Sequence, residues 1–268
     1  MNLFEPQIIY ADDDYAVFYK PQGLPSAPLT ESDTSNALFE AAKMYPSVMN
    51  VKSYFKNIEK GLLHRLDTNT AGLILLAGTQ KSYNALIEQQ QNNMFQKSYT
   101  AYVKYSQCTE ENMKRKGFPA CPFSDKTPPV TITSLFRKYG HGGREVRPVI
   151  ESSMSYYSKM KSIQQEYTTE LENLCTVSVQ GGQKIFKARC RINRGFRHQV
   201  RCHLAWIGLP VIGDKQYGIP DDVSASSGIS MFFFADALDF ISPETGKTVH
   251  YEIDLSFIDN IFLTSASR

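Results

Sequence analysis

The chain has 268 residues, of which 42% are hydrophobic and 21% charged, and its formal net charge is +2. This length and hydrophobic content are enough for a full core, and we predict a single domain over residues 1–268. The longest apolar runs, at residues 72–78 and 231–235, are far too short to cross a membrane. Residues 1–14 are acidic and do not have the pattern of a signal peptide. So small a net charge does not by itself indicate a nucleic-acid partner.

The spacing of cysteine and histidine argues against a metal site or a disulfide framework. The five cysteines form no C-x-x-C pair and are odd in number, which is typical of neither a zinc ribbon nor a secreted disulfide scaffold. His198 and His203 lie five residues apart, and no carboxylate joins them at metal-binding spacing. We therefore predict no metal ion and a reducing, cytoplasmic location.

Two short apolar segments near the N-terminus predict a β-hairpin. Residues 8–10 and 15–19 have strand character and flank an acidic turn at residues 11–14. Lys20 and the Pro-Gln-Gly that follows it end the second strand, because proline cannot donate to the ladder and glycine permits a tight reversal.

The sequence HRLD at residues 64–67 stands where a polar turn leads into an apolar run. Residues 73–77 read LILLA, which is short and apolar enough for a buried strand. Asp67 is thereby held at the edge of a core, a suitable place for a reactive carboxylate. The alternative is a purely structural turn, because Asp, Thr and Asn side chains bond to nearby backbone amides.

Helices and a strand are predicted on either side of this turn. Residues 35–42 begin a short helix, and residues 79–91 predict a second one. Residues 98–105 alternate as a strand, in which Tyr99 would ordinarily be a packing residue.

Residues 107–182 are rich in loop-forming residues. Proline, glycine and a Ser/Tyr-rich piece at residues 152–158 predict loops around short strands. A second basic region lies within this segment, and it is either a nucleic-acid-contacting loop or an ordinary exposed hairpin. Its members are Arg137, Lys138, Arg144 and Arg147.

A strand, a turn and a helix then follow in succession. Residues 184–192 predict the strand, and residues 198–207 predict a helix that ends at Gly208. Between residues 187 and 201 the basic side chains are interrupted by no acid, which indicates a cationic ribbon for phosphate groups, unless it is an exposed strand face with scattered counterions. The ribbon comprises Lys187, Arg189, Arg191, Arg194, Arg197 and Arg201.

Residues 231–235 and 249–255 predict closing strands around a turn at residues 242–247. Strands with interspersed helices and no internal repeat indicate a mixed α+β fold built on a large sheet.

Blocks of the chain resemble the RluA family of RNA pseudouridine synthases, in the family's order. Residues 63–77 are similar to its signature HRLDxxTSGLLLLA, with Ala71 in place of the usual serine. Residues 197–218 are similar to its GRxHQIRVHLAxxGxPIxGDxxYG block. Residues 20–24 resemble its KPxG block and residues 97–101 its KxYxA block.

The resemblance implies a fold and an activity. The fold is α+β, with a large mixed, mostly antiparallel β-sheet, flanking helices and a central RNA-binding cleft. The activity is the isomerisation of specific uridines in ribosomal or transfer RNA: the bond from ribose C1′ to uracil N1 breaks, the base turns while bound, and it rejoins through C5. No redox change or group donor is involved, so no cofactor is expected. The N-terminal S4 module of many relatives is expected to be absent.

The resemblance also assigns catalytic residues. Asp67 corresponds to the family's aspartate, which starts glycosidic cleavage by covalent attack on C1′ or by removing a ribose proton. Arg201 is placed opposite Asp67 as its ion-pair partner. Tyr99 is expected to stack on the uracil and to assist removal of the C5 proton. Because a stacked uridine is inaccessible, the nucleotide must be flipped out, and Arg65 is the candidate for filling the vacated space.

One departure from the family concerns RNA binding. Phe196 stands where relatives have arginine, and Arg197 follows one position later. Arg197 or Arg194 would substitute if that arginine binds phosphate, whereas substrate choice would differ if it shapes the cleft. His64 is interpreted mainly as support for the HRLD turn. The candidate RNA-binding residues are Lys20, His64, Arg65, Arg194, Arg197, His198 and Gln199.

Two other functions stay open at this point. A catalytically inactive RNA-binding or chaperone protein on the same fold would not depend on Asp67. A carboxylate glycosidase or nucleoside hydrolase would need a second acid near Asp67, and none is obvious, since Asp214 is interpreted as a brace for the loop after the helix. The identity of the RNA and the oligomeric state are open at this point. No pattern indicates a coiled-coil seam, and a monomer is the default expectation.

Overall fold

In the computed structural model the chain forms two compact units. The first contains Met1–Ser98 and Phe234–Asp254, and the second contains Tyr99–Phe233 and Leu255–Arg268. The structure describes residues 2–108, 111, 113, 117–150, 164–180, 183–218 and 227–265.

Ten strands and four α-helices lie within the described ranges. The strands are β1 (Gln7–Ala11), β2 (Tyr15–Lys20), β3 (Ala71–Ala77), β4 (Gln96–Lys104), β5 (Val130–Tyr139), β6 (Glu145–Val149), β7 (Tyr167–Gln180), β8 (Gln183–Ile192), β9 (Phe233–Ile241) and β10 (Thr248–Glu252). The helices are α1 (Ala37–Met44), α2 (Gln80–Gln91), α3 (Gln199–Trp206) and α4 (Ser256–Ser265), and short 3-10 turns occur at Pro46–Asn50, Asn57–Glu59 and His141–Gly143.

The first unit is built on mixed strands in the order β1-β2-β3-β9, with β10 paired to β9. Strands β1 and β2 form the predicted hairpin, and every residue of β2 and β3 is buried. Strand β3 runs antiparallel to β2 but parallel to β9 at the start of β3. There Gly72 has φ +138°, and a Cβ would collide with the backbone of Ala235, so only glycine fits. This close approach fixes where β3 begins, just after Asp67.

Both predicted helices of this unit are confirmed, and both have side-chain caps. Asn36 Oδ1 accepts a hydrogen bond from Phe39 N at 3.2 Å at the start of α1. Thr79 and Ser82 form a reciprocal capping box at the start of α2. The apolar residues Tyr83, Leu86 and Ile87 of α2 are buried.

The second unit has its strands in the order β4-β8-β7-β5-β6. The pairs β7–β8, β5–β7 and β5–β6 are antiparallel. Strands β5 and β7 are 10 and 14 residues long, so the prediction of short strands among loops was wrong for these residues. Their Thr, Ser and Glu residues resemble loop composition, whereas cross-strand pairing makes these segments strands. The Ser/Tyr-rich piece at residues 152–158 lies outside the described residues.

Helix α3 belongs to the second unit, and all eight of its side chains are buried. It begins one residue later than predicted, because His198 adopts the left-handed conformation with φ 56°. It ends as predicted before Gly208, which has φ 80°.

The predicted α+β fold of mixed, mostly antiparallel strands is confirmed. The single domain over residues 1–268 and the RNA-binding cleft stay predictions. None of the helices in the described ranges has both the length and the apolar character needed to cross a membrane.

Candidate active site

The backbone on both sides of Asp67 is fixed by hydrogen bonds. On the N-terminal side, the Ser26 hydroxyl donates to Leu66 O at 2.7 Å and accepts from Leu66 N at 2.9 Å. On the C-terminal side, Thr70 N donates to Asp67 O at 3.0 Å and closes the turn that enters β3. Asp67 itself is half-buried. The carboxylate is therefore attached to a backbone with little freedom to move, as precise chemistry requires.

Lys20 joins this turn to the turn that ends β2. Its ammonium group is fully buried, and Nζ donates to Pro21 O at 3.0 Å, Leu24 O at 2.8 Å and Thr68 O at 3.1 Å. Burial lowers the pKa of Lys20 to about 7, against the opposing charge of Asp67. The group is enclosed by backbone carbonyls, and the predicted RNA contact of Lys20 stays a prediction. Lys20 is a positioning residue for the Asp67 turn.

Lys20→Met is expected to change how stability depends on pH. The folded pKa of about 7 lies below the usual 10.5, so between these values the unfolded chain binds the extra proton and the wild-type free energy of unfolding rises with pH. Relative to Lys20→Met, that rise should be about 1 kcal/mol per pH unit from pH 7 to 10, with no relative change below pH 7.

Urea unfolding of both proteins from pH 6 to 10 measures this difference, in which the titration of all other groups cancels. At every pH the variant should also have a lower free energy of unfolding than the wild type, because three buried carbonyls lose their hydrogen-bond donor. Parallel curves for the two proteins would show that Lys20 keeps its proton throughout.

His64 and Arg65 occupy different environments in the same turn. His64 Nε2 accepts a hydrogen bond from Leu75 N at 3.2 Å, and its ring lies 5.4 Å from that of Phe95. Burial lowers the pKa of His64 well below its usual value, so the ring is neutral and suited to support. Arg65 is exposed, and its Nη1 lies 3.2 Å from Glu59 Oε1. The RNA contacts of both residues stay predictions.

In the second unit, Arg201 on α3 forms a buried bidentate pair with Asp214. Arg201 Nε and Nη2 donate to the two carboxylate oxygens at 2.8 and 2.7 Å. Asp214 Oδ1 also accepts from Gln216 N and Tyr217 N, which braces the loop as predicted. Burial acts to raise the pKa of Asp214, but the hydrogen bonds and charge of Arg201, with these backbone N–H groups, hold that pKa below its usual value.

Asp214 as the partner of Arg201 was not predicted from the sequence. Both residues lie in the block at residues 197–218, 13 positions apart. Their shared presence in this block was the one sequence feature that could have suggested the pair. Asp67 belongs to the first unit and Arg201 to the second, and their ion pair stays a prediction.

Tyr99 lies in β4 with a fixed ring orientation. It is buried and stacks on Phe233, with ring centroids 5.2 Å apart and planes 8° from parallel. A ring held in this way can present a flat face to a nucleobase, but its contact with uracil stays a prediction.

Gln199 stabilises the start of α3 from inside the unit. It is buried, its Nε2 donates to Thr168 O at 2.8 Å, and its Oε1 accepts from Phe196 N at 2.8 Å. Both ends of the amide are thus bonded to protein groups, and the predicted RNA contact of Gln199 stays a prediction. These bonds could not be predicted from local sequence, since the carbonyl that accepts from Nε2 belongs to β7.

The remaining candidates lie at the N-terminal end of α3. His198 is half-buried, with Nδ1 3.1 Å from Tyr217 Oη. Arg194 and Arg197 are exposed, and Arg197 Nη1 donates to Gly143 O at 3.1 Å. The RNA contacts of these three residues stay predictions.

The sequence of the chain matches that of a known protein family. Residues 14–206 match the sequence profile of the family described as RNA pseudouridylate synthase. The chain belongs to the RNA pseudouridylate synthase family. Members of this family are isomerases that convert uridine in RNA to pseudouridine, and this activity was predicted from the resemblance.

Individual relatives agree with this assignment. An uncharacterized RNA pseudouridine synthase of Aquifex aeolicus is 28% identical over 255 residues, which cover 92% of this chain and 68% of the relative. An uncharacterized RNA pseudouridine synthase of Mycoplasma pneumoniae is 28% identical over 260 residues, which cover 96% of this chain and 70% of the relative. Ribosomal large subunit pseudouridine synthase D of Haemophilus influenzae is 25% identical over 211 residues, covering 79% of this chain and 52% of that protein.

Two solved structures share the fold. Human RNA pseudouridylate synthase domain containing 1 superposes with a TM-score of 0.65 and 17% identity, covering 97% of this chain and 88% of that one. Human RNA pseudouridylate synthase domain containing 4 superposes with a TM-score of 0.60 and 17% identity, covering 97% of this chain and 92% of that one.

Within this family, the departure at Phe196 has a packing role. Its ring stacks on Phe136 with centroids 5.0 Å apart and planes 15° from parallel, and it lies 5.0 Å from the ring of Tyr167. Phe196 thus contributes to an aromatic cluster with β5 and β7 in the turn before α3.

Part of the cationic ribbon predicted from residues 187–201 is paired with acidic side chains. Arg191 pairs with Glu170 and Glu172 on β7 at 2.9 and 3.1 Å, and Lys187 pairs with Asp259 on α4 at 2.8 Å. With Arg201 also paired, at least three of the six basic residues have acidic partners, and phosphate binding by the ribbon stays a prediction. These ion pairs could not be predicted from the sequence of the strand, because the acidic partners belong to neighbouring elements.

The second basic region forms the β5–β6 hairpin. Arg137 and Arg147 are cross-strand partners and lie 4.6 and 4.2 Å from the ring centre of Tyr139. Its contact with RNA stays a prediction. Within the described residues, no group of three or more His, Cys, Asp or Glu side chains is placed to hold a metal ion.

Proposed function

We propose that this chain isomerises one or a few specific uridines in ribosomal or transfer RNA, with Asp67 as the reactive carboxylate. The observation that carries the proposal is the construction of the Asp67 turn. Ser26 and Thr70 fix its backbone, and Lys20 ties it to the neighbouring turn. Such an arrangement holds a carboxylate at a protein edge, where a flipped nucleotide can reach it.

In this proposal Asp67 acts first, either by attacking ribose C1′ or by removing a ribose proton. In both routes the C1′–N1 bond breaks and the uracil stays bound. The base then rejoins C1′ through C5, and the C5 proton is lost with help from Tyr99. Arg201 balances the charge of Asp67, while Arg65 fills the space that the flipped nucleotide leaves.

Ribosomal RNA is favoured as the substrate because several relatives are named ribosomal large subunit pseudouridine synthase D. The chain spans about half the length of those relatives. We also propose that the protein acts as a monomer in the cytoplasm, where its five free cysteines would stay reduced.

Mapping pseudouridines across ribosomal and transfer RNA tests the proposal. Cells would carry the wild-type gene, no gene, Asp67→Asn, or the control Asp13→Asn in the exposed turn of the first hairpin. We expect one or a few sites to disappear without the gene and with Asp67→Asn, and to persist with Asp13→Asn. An unchanged map, together with RNA binding by the purified protein, would favour the inactive RNA-binding protein.

A further inference from the structure

The segment at residues 52–60, in the first unit, exposes two adjacent aromatic rings. Tyr54 is 62% exposed and Phe55 is 72% exposed. Large aromatic side chains are seldom left so accessible side by side, because burying them releases water and stabilises the fold. We name this surface the aromatic–lysine platform, and it comprises Lys52, Tyr54, Phe55, Lys56 and Lys60.

The platform is held rigidly by helix α2. Lys52 N donates to Gln80 Oε1 at 2.9 Å, and Tyr54 Oη donates to Asn84 Oδ1 at 2.6 Å. Tyr54 N donates to Tyr83 Oη at 3.2 Å, and the two tyrosine rings meet edge to face with centroids 5.4 Å apart. The exposed rings are therefore attached to a fixed backbone, which reduces the entropy lost when a ligand binds.

The charge on this surface is positive. Glu59 is the acidic residue of the segment, and it is buried and paired with Arg65. Lys52 and Lys56 are exposed and Lys60 is half-buried. Within the described part of the chain, none of these three lysines forms an ion pair, so their charges are available to an anionic ligand.

Flat exposed rings between unpaired lysines fit single-stranded nucleic acid. Its bases stack on aromatic side chains, and its phosphates are attracted to the ammonium groups. An acidic protein surface would satisfy the lysines but would give the two rings no stacking partner. The segment also precedes the HRLD turn by a few residues, and its Glu59 pairs with Arg65, two positions before Asp67.

We propose that the aromatic–lysine platform binds unpaired nucleotides that flank the target uridine, with Phe55 and Tyr54 stacking on bases and the lysines contacting phosphates. This inference rests on the proposed function, because it assumes an RNA substrate at the Asp67 turn. It assigns substrate affinity to the platform and leaves the chemical step to the Asp67 turn.

Binding of a labelled twelve-nucleotide oligouridine, followed by fluorescence anisotropy, tests the platform. All proteins would carry Asp67→Asn, so that binding is measured apart from turnover. Phe55→Ala is expected to raise Kd about tenfold, as the loss of one stacked base does. Lys56→Gln is expected to reduce the slope of log Kd against log salt by about one.

Two matched variants serve as controls. Phe257→Ala removes an exposed ring, 54% accessible, from α4, and Lys247→Gln removes an exposed lysine from the turn between β9 and β10. Both should bind within twofold of the parent protein. If Phe55→Ala binds as Phe257→Ala does, the platform does not bind RNA, and a protein partner becomes the better interpretation.

The outcome is separate from that of the proposed function. If Phe55→Ala weakens oligouridine binding but the wild-type protein forms no pseudouridine, the platform is supported and the catalytic proposal fails. If pseudouridine forms normally while both platform variants bind as the parent does, the platform is rejected and the catalytic proposal stands.

Discussion

Asp67→Asn is expected to reduce the rate of pseudouridine formation by at least about a thousandfold. The amide is nearly the same size as the carboxylate, so the hydrogen bonds of Ser26, Thr70 and Lys20 to the turn's backbone should persist. An amide, however, is neither a nucleophile toward C1′ nor a base toward a ribose proton. Release of tritium from 5-tritiated uridine in the substrate RNA, under single-turnover conditions, measures the rate.

The control for this prediction is Asp13→Asn, which should keep full activity. Binding of the RNA by Asp67→Asn should match the wild type, since the variant changes the chemical step. Activity above one tenth of the wild type would remove Asp67 from the mechanism. Appearance of free uracil in place of pseudouridine would instead indicate a glycosidase or nucleoside hydrolase.

Asp214→Ala should lower the free energy of unfolding by about 3–5 kcal/mol. The substitution leaves the guanidinium of Arg201 buried without the carboxylate that accepts two of its N–H groups. It also removes the acceptor for two backbone N–H groups of the following loop, at Gln216 and Tyr217. Guanidinium chloride unfolding of the wild type and the variant gives the difference.

A second measurement separates the buried pair from ion pairs in general. Glu170→Gln weakens the partly exposed pair with Arg191, and this should cost less than about 1 kcal/mol. The double variant Arg201→Met with Asp214→Leu should recover much of the stability lost in Asp214→Ala, because no buried charge is left unpaired. A loss below about 1 kcal/mol for Asp214→Ala would mean that water reaches Arg201.

Several features of this protein could be predicted from local sequence. The first hairpin, the fully buried β3 and the capped helix α2 follow from hydrophobic periodicity and from residues such as Thr79 and Gly208 that begin or end helices. These signals operate within a few residues along the chain. The identity of Asp67 as the candidate carboxylate came from its HRLD motif, since a turn of this composition is otherwise structurally ordinary.

Other features were decided by the tertiary structure. Lys20 reads as an exposed cation but is enclosed by carbonyls, one of them from Thr68, 48 residues away. Arg191 reads as part of a free basic ribbon until β7 places Glu170 beside it. The environment of a charged side chain depends on which distant strand lies next to it. Sequence therefore determined elements such as β3 and α2 and the candidate carboxylate. Only the folded chain determined the long strands β5 and β7 and which charges are buried or paired, because both depend on contacts between distant segments.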